Sequence, residues 1–274
     1  MKYETVQNLQ IPKIGFGCWR IGGHKKPDPA TYPASLAALR SALDLGYTHF
    51  DTAEDYAAGH SEMLLAQAIR ESGTPREALF ITSKVHGTHW HYDAVLKACE
   101  GSLRHLDTDY IDLYLIHWPH KRMKLEETFA ALNKLVAEGK VKHLGVSNFD
   151  LELLKKSQAL SKTPLLTNQV QYSLADLNYV KNGVVAYCQA NDILITAHSP
   201  VRRKFIRNPK LRAVAAAKGI TPQQLSLAWL MQQPRVITIP MSLNPQHQAE
   251  NLAAADVELT ADELAHLEMA IQRT

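Results

Sequence analysis

The sequence has few cysteines, and their positions do not match a disulfide framework or a metal site. Among 274 residues there are three, Cys18, Cys99 and Cys188, and they are widely separated. An odd number at such spacing gives neither a set of disulfide pairs nor a pair of metal ligands. We therefore expect a reducing compartment and predict a cytoplasmic location.

Long apolar runs and a large net charge are also missing. No stretch approaches the ~20 apolar residues that span a bilayer, and the polar amino terminus has no apolar signal-peptide core. The formal net charge is only +3, which is too small to indicate nucleic acid or an anionic membrane as a partner. We expect neither partner, and the sequence indicates no particular oligomeric state.

The G-x-G-x-x-G fingerprint of Rossmann domains does not follow the first predicted strand, residues 14–19. Apolar strand-like runs instead alternate with helical patterns along the whole chain. Eight such units in ~250 residues are typical of a (β/α)8 TIM barrel. The predicted strands centre near residues 16, 49, 81, 113, 144, 168, 195 and 238.

No linker or change in composition divides the chain, so we predict one α/β domain, residues 1–274, folded as a single (β/α)8 TIM barrel. A doubly wound sheet is the alternative, but eight similar units leave no distinct sheet edge. Asp93 is the predicted cap of a helix that ends near Leu106, and residues 180–190 are predicted as one helix. Further predictions are an N-terminal hairpin at residues 6–12 and extra helices near the carboxyl terminus, at 209–218, 222–232, 245–254 and 261–271.

Polar side chains follow the predicted strands at their carboxyl ends. Each alone has an ordinary structural explanation, such as a helix cap, a surface charge or a hydrogen-bonded core histidine. In a barrel, however, these ends meet at one face. Charged groups in the partly solvent-excluded opening there must be paired with opposite charges or take part in binding or catalysis. The sequence therefore predicts an active site there. Its members are Asp51, Tyr56, Lys84, His117, Ser147, Asn148, Gln169 and His198.

Four ordered strings around these residues resemble the aldo-keto reductase family. They are G-Y-T-H-F-D-T-A-E-D-Y at 46–56, I-T-S-K-V at 81–85, D-Y-I-D-L-Y-L-I-H-W-P at 109–119 and G-K-V-K-H-L-G-V-S-N-F at 139–149. The resemblance implies a (β/α)8 barrel that reduces aldehydes or ketones to alcohols with NADPH or NADH. It also implies a small carbonyl compound as the binding partner.

By this resemblance, Asp51, Tyr56, Lys84 and His117 match the catalytic tetrad of the family. The chemistry of the side chains agrees, since reduction of a carbonyl needs a proton donor and Tyr56 is a suitable one. We expect the Lys84 ammonium to lower the phenol pKa from its usual ~10, and Asp51 to keep Lys84 charged. His117 is expected to donate a hydrogen bond to the carbonyl oxygen.

The resemblance also assigns the cofactor site. Ser147, Asn148 and Gln169 match positions that bind the nicotinamide carboxamide, and His198 stands where the family usually has a stacking tyrosine. Met241 and His247 replace a lysine and an arginine, so we expect weak discrimination in favour of NADP. The other predicted cofactor residues are Cys18, Trp19, Ser199, Val201, Arg203, Ile239, Ser242, Glu250 and Asn251.

The substrate pocket is predicted to include Trp19 and Trp118 together with Tyr56 and His117. His86 stands where the family often has a tryptophan, and Trp90 is a further candidate for the rim. The chain ends soon after its last predicted helix, so an open pocket with broad carbonyl specificity is expected.

Three alternatives remain at this stage. His86, His89 and His91 are grouped closely enough to suggest a metal site, although no carboxylate or cysteine partner is evident. Lys84 at a strand end would suit a Schiff-base lyase. The chain would also suit a regulatory subunit that keeps the barrel and cofactor, as potassium-channel β subunits resembling this family do, but the intact tetrad argues against it.

Overall fold

The chain begins with an antiparallel hairpin of strands β1 (Tyr3–Val6) and β2 (Leu9–Pro12). The structure, a computed structural model, describes residues 2–202, 205–264 and 267. In the hairpin turn, the Gln7 backbone N–H donates to Asp192 Oδ2 (2.9 Å) and its side-chain amide donates to the Leu165 carbonyl oxygen (3.0 Å). Both partners lie where later strands begin. The hairpin therefore lies at the amino-terminal end of the barrel. A hairpin was predicted at residues 6–12, and the observed one begins earlier, at Tyr3.

The next strands form one parallel sheet, and each pairs with its neighbours in chain order. This order is the one expected when helices connect successive strands on the same side of the sheet. The eight strands are β3 (Phe16–Gly17), β4 (His49–Asp51), β5 (Phe80–Val85), β6 (Ile111–Ile116), β7 (Val141–Ser147), β8 (Leu165–Gln171), β9 (Leu194–His198) and β10 (Val236–Thr238).

The first and last strands of this sheet meet and close it. Ile14 and Thr238 form a parallel bridge. The Gly15 N–H donates to the Thr238 carbonyl oxygen (2.8 Å), and the Gly17 N–H donates to that of Pro240 (3.1 Å). Closure confirms the predicted (β/α)8 barrel and excludes a doubly wound sheet, which has two open edges.

Strand β6 shows why its sequence is a continuous apolar run. Leu113 and Leu115 face the barrel interior and share a cluster with the hairpin, whereas Tyr114 and Ile116 belong to the core beneath the helices. A strand covered on both faces gains from apolar side chains at every position. Asp112 is the exception, and its carboxylate is paired with the Arg76 guanidinium at 2.6 Å.

Helices follow the strands and cover the outside of the barrel. The helix that starts at Pro222 has a capping box, because Thr221 and Gln224 each accept a hydrogen bond from the other's backbone N–H. The helices are α1 (Tyr32–Asp44), α2 (His60–Ser72), α3 (Tyr92–Leu106), α4 (Leu125–Ala137), α5 (Leu151–Leu160), α6 (Asn178–Lys181), α7 (Val184–Ala190), α8 (Pro209–Ala217), α9 (Pro222–Gln232) and α10 (Pro245–Ala253).

Some local predictions were wrong. Helix α3 begins at Tyr92 after an extended His91, so Asp93 lies in the first turn and is not the cap. The predicted helix 180–190 is divided into α6 and α7, because Gly183 adopts φ +83°, a left-handed conformation that ends the first helix. Lys84 lies inside β5 and does not follow it.

The carboxyl-terminal helices are confirmed in part. Helices α8, α9 and α10 match the predicted segments to within a residue or two. Of the predicted helix 261–271, residues 261–264 and 267 are helical and the rest lies outside the described residues. Within the part of the chain that the structure describes, no helix is both long enough and apolar enough to cross a membrane.

Candidate active site

The four predicted catalytic residues lie together at the carboxyl-terminal end of the barrel. Lys84 is fully buried, and its ammonium donates to Asp51 Oδ1 (2.5 Å) and to the Thr52 carbonyl oxygen (2.7 Å). It also donates to the Tyr56 hydroxyl at 3.4 Å. A single buried ammonium therefore joins the carboxylate at the end of β4 to the phenol in the following loop.

The charge on Lys84 is maintained by its carboxylate partner. Burial alone would lower the pKa of Lys84, but the Asp51 carboxylate and the Tyr56 hydroxyl together outweigh burial and raise this pKa above its usual value. The lysine is therefore an ammonium at neutral pH. This finding agrees with the role predicted for Asp51.

Tyr56 is a protonated phenol at neutral pH. Burial raises the pKa of Tyr56 to about 12, although the Lys84 ammonium acts in the opposite direction. We expected Lys84 to lower this pKa, and its effect has the expected sign, but burial of the hydroxyl is the larger effect. A protonated phenol next to a fixed cation is able to donate its proton to a forming alkoxide.

His117 follows β6 and lies beside an acid to which sequence analysis gave no role. Its Nδ1 atom is 3.1 Å from Asp55 Oδ1, and its ring centroid is 5.5 Å from that of Tyr56. Burial lowers the pKa of His117 by more than the Asp55 carboxylate raises it. His117 is therefore neutral at pH 7. Asp55 directly precedes Tyr56, so its place next to a catalytic residue in the sequence was the available signal.

A second hydrogen-bonded group surrounds Asn148. The Asn148 side-chain nitrogen donates to Ser147 Oγ (2.9 Å), and its oxygen accepts from His198 Nε2 (3.0 Å). Burial lowers the pKa of His198 to about 4, so the ring is neutral. Asn148 therefore fixes the orientation of the imidazole that we expect to stack on the nicotinamide.

Gln169 connects the two groups. Its amide nitrogen donates to Asp51 Oδ2 at 2.6 Å, so Asp51 contacts Lys84 with one oxygen and Gln169 with the other. Within the described ranges, the Gln169 side-chain oxygen has no partner and remains an acceptor for an amide group. This arrangement fits the carboxamide-binding role that the resemblance assigns to Gln169.

These residues surround one cavity of about 790 Å³, a volume within the ~300 to 1,000 Å³ that is usual for small-molecule and cofactor sites. Most of the predicted site residues line it. They are Trp19, Asp51, Tyr56, His117, Trp118, Ser147, Asn148, Gln169, His198, Ser199, Val201, Ile239, Met241, Ser242, His247, Glu250 and Asn251.

A few predicted residues are placed elsewhere. Cys18 is buried beneath the cavity with its Sγ 3.9 Å from the Phe16 carbonyl oxygen. His86 bonds to Thr88 Oγ1 (2.8 Å) and does not reach the cavity wall. Trp90 packs on the His91 ring at a centroid distance of 3.6 Å. Arg203 lies outside the described residues. Sequence analysis gave no site role to the lining residues Gly17, Lys25, Asp55, Gln171, Pro200, Gln223 and Pro240.

The histidine group after β5 is held by carboxylates that the sequence did not reveal. Glu54 Oε1 accepts from the His86 backbone N–H (2.5 Å) and lies 2.9 Å from His89 Nδ1, while His91 pairs with Glu127. In the residues that the structure covers, no three histidine, cysteine or acidic side chains are grouped to hold a metal ion. The metal hypothesis therefore has no structural support.

The Schiff-base alternative also conflicts with the geometry. A lysine must be deprotonated and accessible to attack a carbonyl carbon. Lys84 is fully buried behind Tyr56, and its hydrogen bonds to Asp51 and the Thr52 carbonyl oxygen favour the ammonium.

The walls of the cavity suit a dinucleotide. Gly17 lines it at a position where a Cβ would lie only 2.6 Å from the Ile239 carbonyl oxygen, so the two backbone segments that form this wall pack closely only because residue 17 has no side chain. Lys25 and Arg202 offer cations to a pyrophosphate. Ser242 and Asn251, at the far end, offer polar groups to a nucleoside. The residues present therefore fit the implied cofactor.

Comparisons with known proteins agree with this geometry. Residues 13–272 match the sequence model of the Aldo/keto reductase family. A methylglyoxal reductase of Escherichia coli is 35% identical over 98% of this chain and 95% of its own. The crystal structure of the thermostable aldo-keto reductase Tm1743 with the inhibitor epalrestat has a TM-score of 0.94 and 39% identity, and covers 98% of this chain and 100% of that one.

A second solved structure contains the cofactor. It is an aldo/keto reductase of Klebsiella pneumoniae in complex with NADP and acetate, with a TM-score of 0.88, 37% identity and coverage of 98% of this chain and 95% of that one. The sequence match, the barrel and the arrangement of Asp51, Tyr56, Lys84 and His117 lead to the same conclusion. The chain belongs to the aldo/keto reductase family.

Proposed function

We propose that this chain, as one domain of residues 1–274, reduces small aldehydes and ketones, with α-dicarbonyl compounds such as methylglyoxal among its substrates. Members of the family are NAD(P)H-dependent oxidoreductases. The proposal rests on the hydrogen bonds that Lys84 donates to the Asp51 carboxylate and to the Tyr56 hydroxyl. The methylglyoxal reductase among the relatives supports the substrate class.

The bound nicotinamide supplies the hydride that reduces the carbonyl carbon. Tyr56 donates a proton to the oxygen as negative charge develops there, and the nearby Lys84 ammonium stabilises the resulting phenolate. Trp19, whose ring centroid is 5.0 Å from that of Tyr56, and Trp118 provide apolar surface beside the reacting groups. Asp51 keeps Lys84 charged and aimed through the reaction.

We place this activity in the cytoplasm. The three cysteines are free and buried, which agrees with a reducing compartment. We also propose that neither nucleic acid nor a membrane takes part.

The test is steady-state turnover of a panel of aldehydes and ketones with NADH and with NADPH, using wild type and Tyr56→Phe. We expect wild type to reduce small carbonyls and the variant to lose ~10²- to 10⁴-fold in kcat, the usual effect of removing a general acid. Cofactor affinity, measured by quenching of protein fluorescence, should stay nearly unchanged. Turnover by the variant within about threefold of wild type would contradict the proton-donor role.

A further inference from the structure

Asp55 is an acidic residue in the wall of the cavity, and part of its hydrogen-bonding capacity is unused in the described chain. It directly precedes the turn Tyr56–Gly59, yet its side chain does not cap that turn. Its Oδ1 atom lies 3.1 Å from His117 Nδ1, but this contact lacks the alignment of a hydrogen bond. The carboxylate, with 34% of its side chain exposed, therefore has acceptor capacity left for a ligand.

The charge of Asp55 is not neutralised by a neighbouring cation. Burial alone would raise the pKa of this carboxyl group, but His117, His86 and Lys84 together outweigh burial and lower it. The side chain is therefore a carboxylate at neutral pH. The His117 ring is neutral at that pH, and the Lys84 ammonium is paired with Asp51. The cavity wall beside the catalytic phenol thus carries a negative charge.

Two tryptophans pack against the rings next to Asp55. The Trp19 ring centroid lies 5.0 Å from that of Tyr56, which follows Asp55 in the chain. The Trp118 ring centroid lies 6.2 Å from that of His117, the ring in contact with Asp55. Both tryptophans line the cavity and are 39% and 50% exposed, so part of each indole is available to a ligand. Indole faces attract cations, and a carboxylate beside indoles suits an ammonium group.

We propose that Asp55 is a specificity-determining residue that binds a cationic group of the substrate, so that the chain favours aldehydes and ketones that bear an ammonium group. This preference rests on the proposed function. Asp55 Oδ1 and the Tyr56 ring both lie next to the His117 ring, so a small substrate is able to reach both. Lys25 and Arg202 also line the cavity, but their charges suit the pyrophosphate of the cofactor.

The first test compares two aldehydes that have the same shape and differ in charge. Trimethylammonioacetaldehyde carries a permanent positive charge, and 3,3-dimethylbutanal has a carbon atom in place of the nitrogen. The readout is the ratio of the two kcat/KM values, cation over neutral, because an effect common to both substrates cancels. We expect this ratio to fall about tenfold in Asp55→Asn, an effect between those of an exposed and a buried ion pair. An unchanged ratio would overturn the proposal.

Glu54→Gln is the matched control. It removes one negative charge one residue away, on a side chain that does not line the cavity and instead contacts the His86 N–H and His89. We expect its ratio to stay within about twofold of the wild-type value, because charges without contact to the ligand are screened by solvent and salt. An equal fall in both variants would show that the ratio follows the charge of the whole loop, and would overturn the assignment to Asp55.

The second test measures binding and does not depend on turnover. Protein saturated with NADPH is titrated with choline and with 3,3-dimethylbutan-1-ol, the alcohols that correspond to the two aldehydes. No hydride transfer takes place, because the reduced cofactor cannot accept hydride from an alcohol. Ligand-observed NMR gives both dissociation constants. We expect the affinity for choline relative to the neutral alcohol to fall about tenfold in Asp55→Asn, or ~1.4 kcal/mol.

The two possible failures are distinguishable. The same relative affinity in wild type and Asp55→Asn would overturn the inference about Asp55. Absence of turnover with every carbonyl compound would overturn the proposed function, and the titration with the two alcohols would still decide whether Asp55 binds a cation.

Discussion

At the scale of single residues, burial and one ammonium act in opposite directions on Tyr56. Burial raises the pKa of Tyr56 to about 12, and Lys84 keeps it from rising further. In the reverse reaction, alcohol oxidation, the phenolate is the base. We therefore predict that Lys84→Met slows oxidation about tenfold at fixed pH for each unit by which this pKa rises, measured as a pH profile of the oxidation rate.

Lys156→Met serves as the control, because Lys156 is a surface residue paired with Glu152 on α5. Its pH profile should match that of wild type. A Lys84→Met profile that also matched wild type would show that the ammonium does not act on the phenol. If wild type is incubated with a carbonyl substrate and borohydride, a covalent adduct of the substrate with Lys84 would instead support the Schiff-base role.

The barrel predicted that polar side chains at the strand ends meet at one face, and the resemblance to the aldo-keto reductases indicated which four residues form the tetrad. Parallel strands bring their carboxyl ends to one face, so Asp51 and His117 had to converge. Which side chains these residues contact depends on the loop backbone and on side-chain rotamers. Neither produces a periodic pattern in the sequence. Neither the contact of Asp55 with His117 nor that of Gln169 with Asp51 could be derived in this way.

At the scale of elements, the loop after Tyr56 depends on a glycine packed against helix α3. Ala57, Ala58 and Gly59 all have positive φ, at 50°, 52° and 88°. A Cβ at Gly59 would lie 2.4 Å from the ring of His105. We predict that Gly59→Ala destabilises the protein by ~2 to 4 kcal/mol in urea unfolding, from left-handed strain plus overpacking, and lowers kcat by displacing Tyr56.

Gly46→Ala is a matched control for this prediction. Gly46 has the same φ of 88°, but a Cβ added there would meet no atom of the described residues within 4 Å. It should therefore show only the backbone cost, ~1 to 2 kcal/mol, with kcat unchanged. Equal losses in the two variants would show that the His105 ring moves aside without cost.

Helices α2 and α3 are joined by a pair whose strength depends on pH. Glu62 is fully buried and lies 3.1 Å from His105 Nδ1. The hydrogen bond to Glu62 raises the pKa of His105 above its usual value. A histidine whose pKa is higher in the folded state than in the unfolded state stabilises the fold. This contribution is complete at pH values below the unfolded-state pKa of ~6.5, and it disappears as the pH rises through the folded-state pKa.

We therefore predict that His105→Gln lowers the free energy of unfolding more at pH 6 than at pH 9. The difference should be on the order of 1 kcal/mol or less, because solvent screens the half-exposed imidazole. Urea unfolding of wild type and variant at both pH values measures it. The pair His91–Glu127 is more exposed, so His91→Gln is the matched surface control. A larger loss at pH 9 would contradict the assigned sign.

Whether a segment is a helix or a strand could be predicted where a single period of apolar residues continued along the whole segment. Helix α9 was predicted at residues 222–232 and has these bounds, and Thr221 caps it by accepting a hydrogen bond from the Gln224 N–H (3.2 Å). The division at Gly183 was missed because residues 180–190 keep a helical apolar pattern across the break. A single left-handed residue changes the backbone without changing that pattern.

At the scale of the whole molecule, one cavity extends from the catalytic phenol to helix α10, and its charges change along its length. Lys25 and Arg202 line it as cations, and Arg202 lies 4.0 Å from Asp176. Met241 and His247 line the end where a nucleoside would lie. A thioether carries no charge, and an imidazole carries little positive charge at neutral pH.

A 2′-phosphate has nearly two negative charges and is best held by cations. Loss of two charge-assisted contacts of ~1.5 to 3 kcal/mol each would remove a preference of a few hundredfold or more. We therefore predict that this protein binds NADP little better than NAD. We further predict that Met241→Lys combined with His247→Arg shifts the preference towards NADPH.

Fluorescence titration of wild type and the double variant with both oxidised cofactors tests these predictions. The variant should gain affinity for NADP with little change for NAD, because NAD lacks the phosphate that the new cations contact. The NADP gain should weaken as salt is added, since screening acts on the new charge pairs. Wild-type affinity for NADP more than about a hundredfold above that for NAD, or ~2.7 kcal/mol, would show that another cation already holds the phosphate. If Arg202 is that cation, Arg202→Met lowers the affinity for NADP and leaves the affinity for NAD unchanged. If Arg202 instead contacts the pyrophosphate, which both cofactors share, the substitution lowers the two affinities equally.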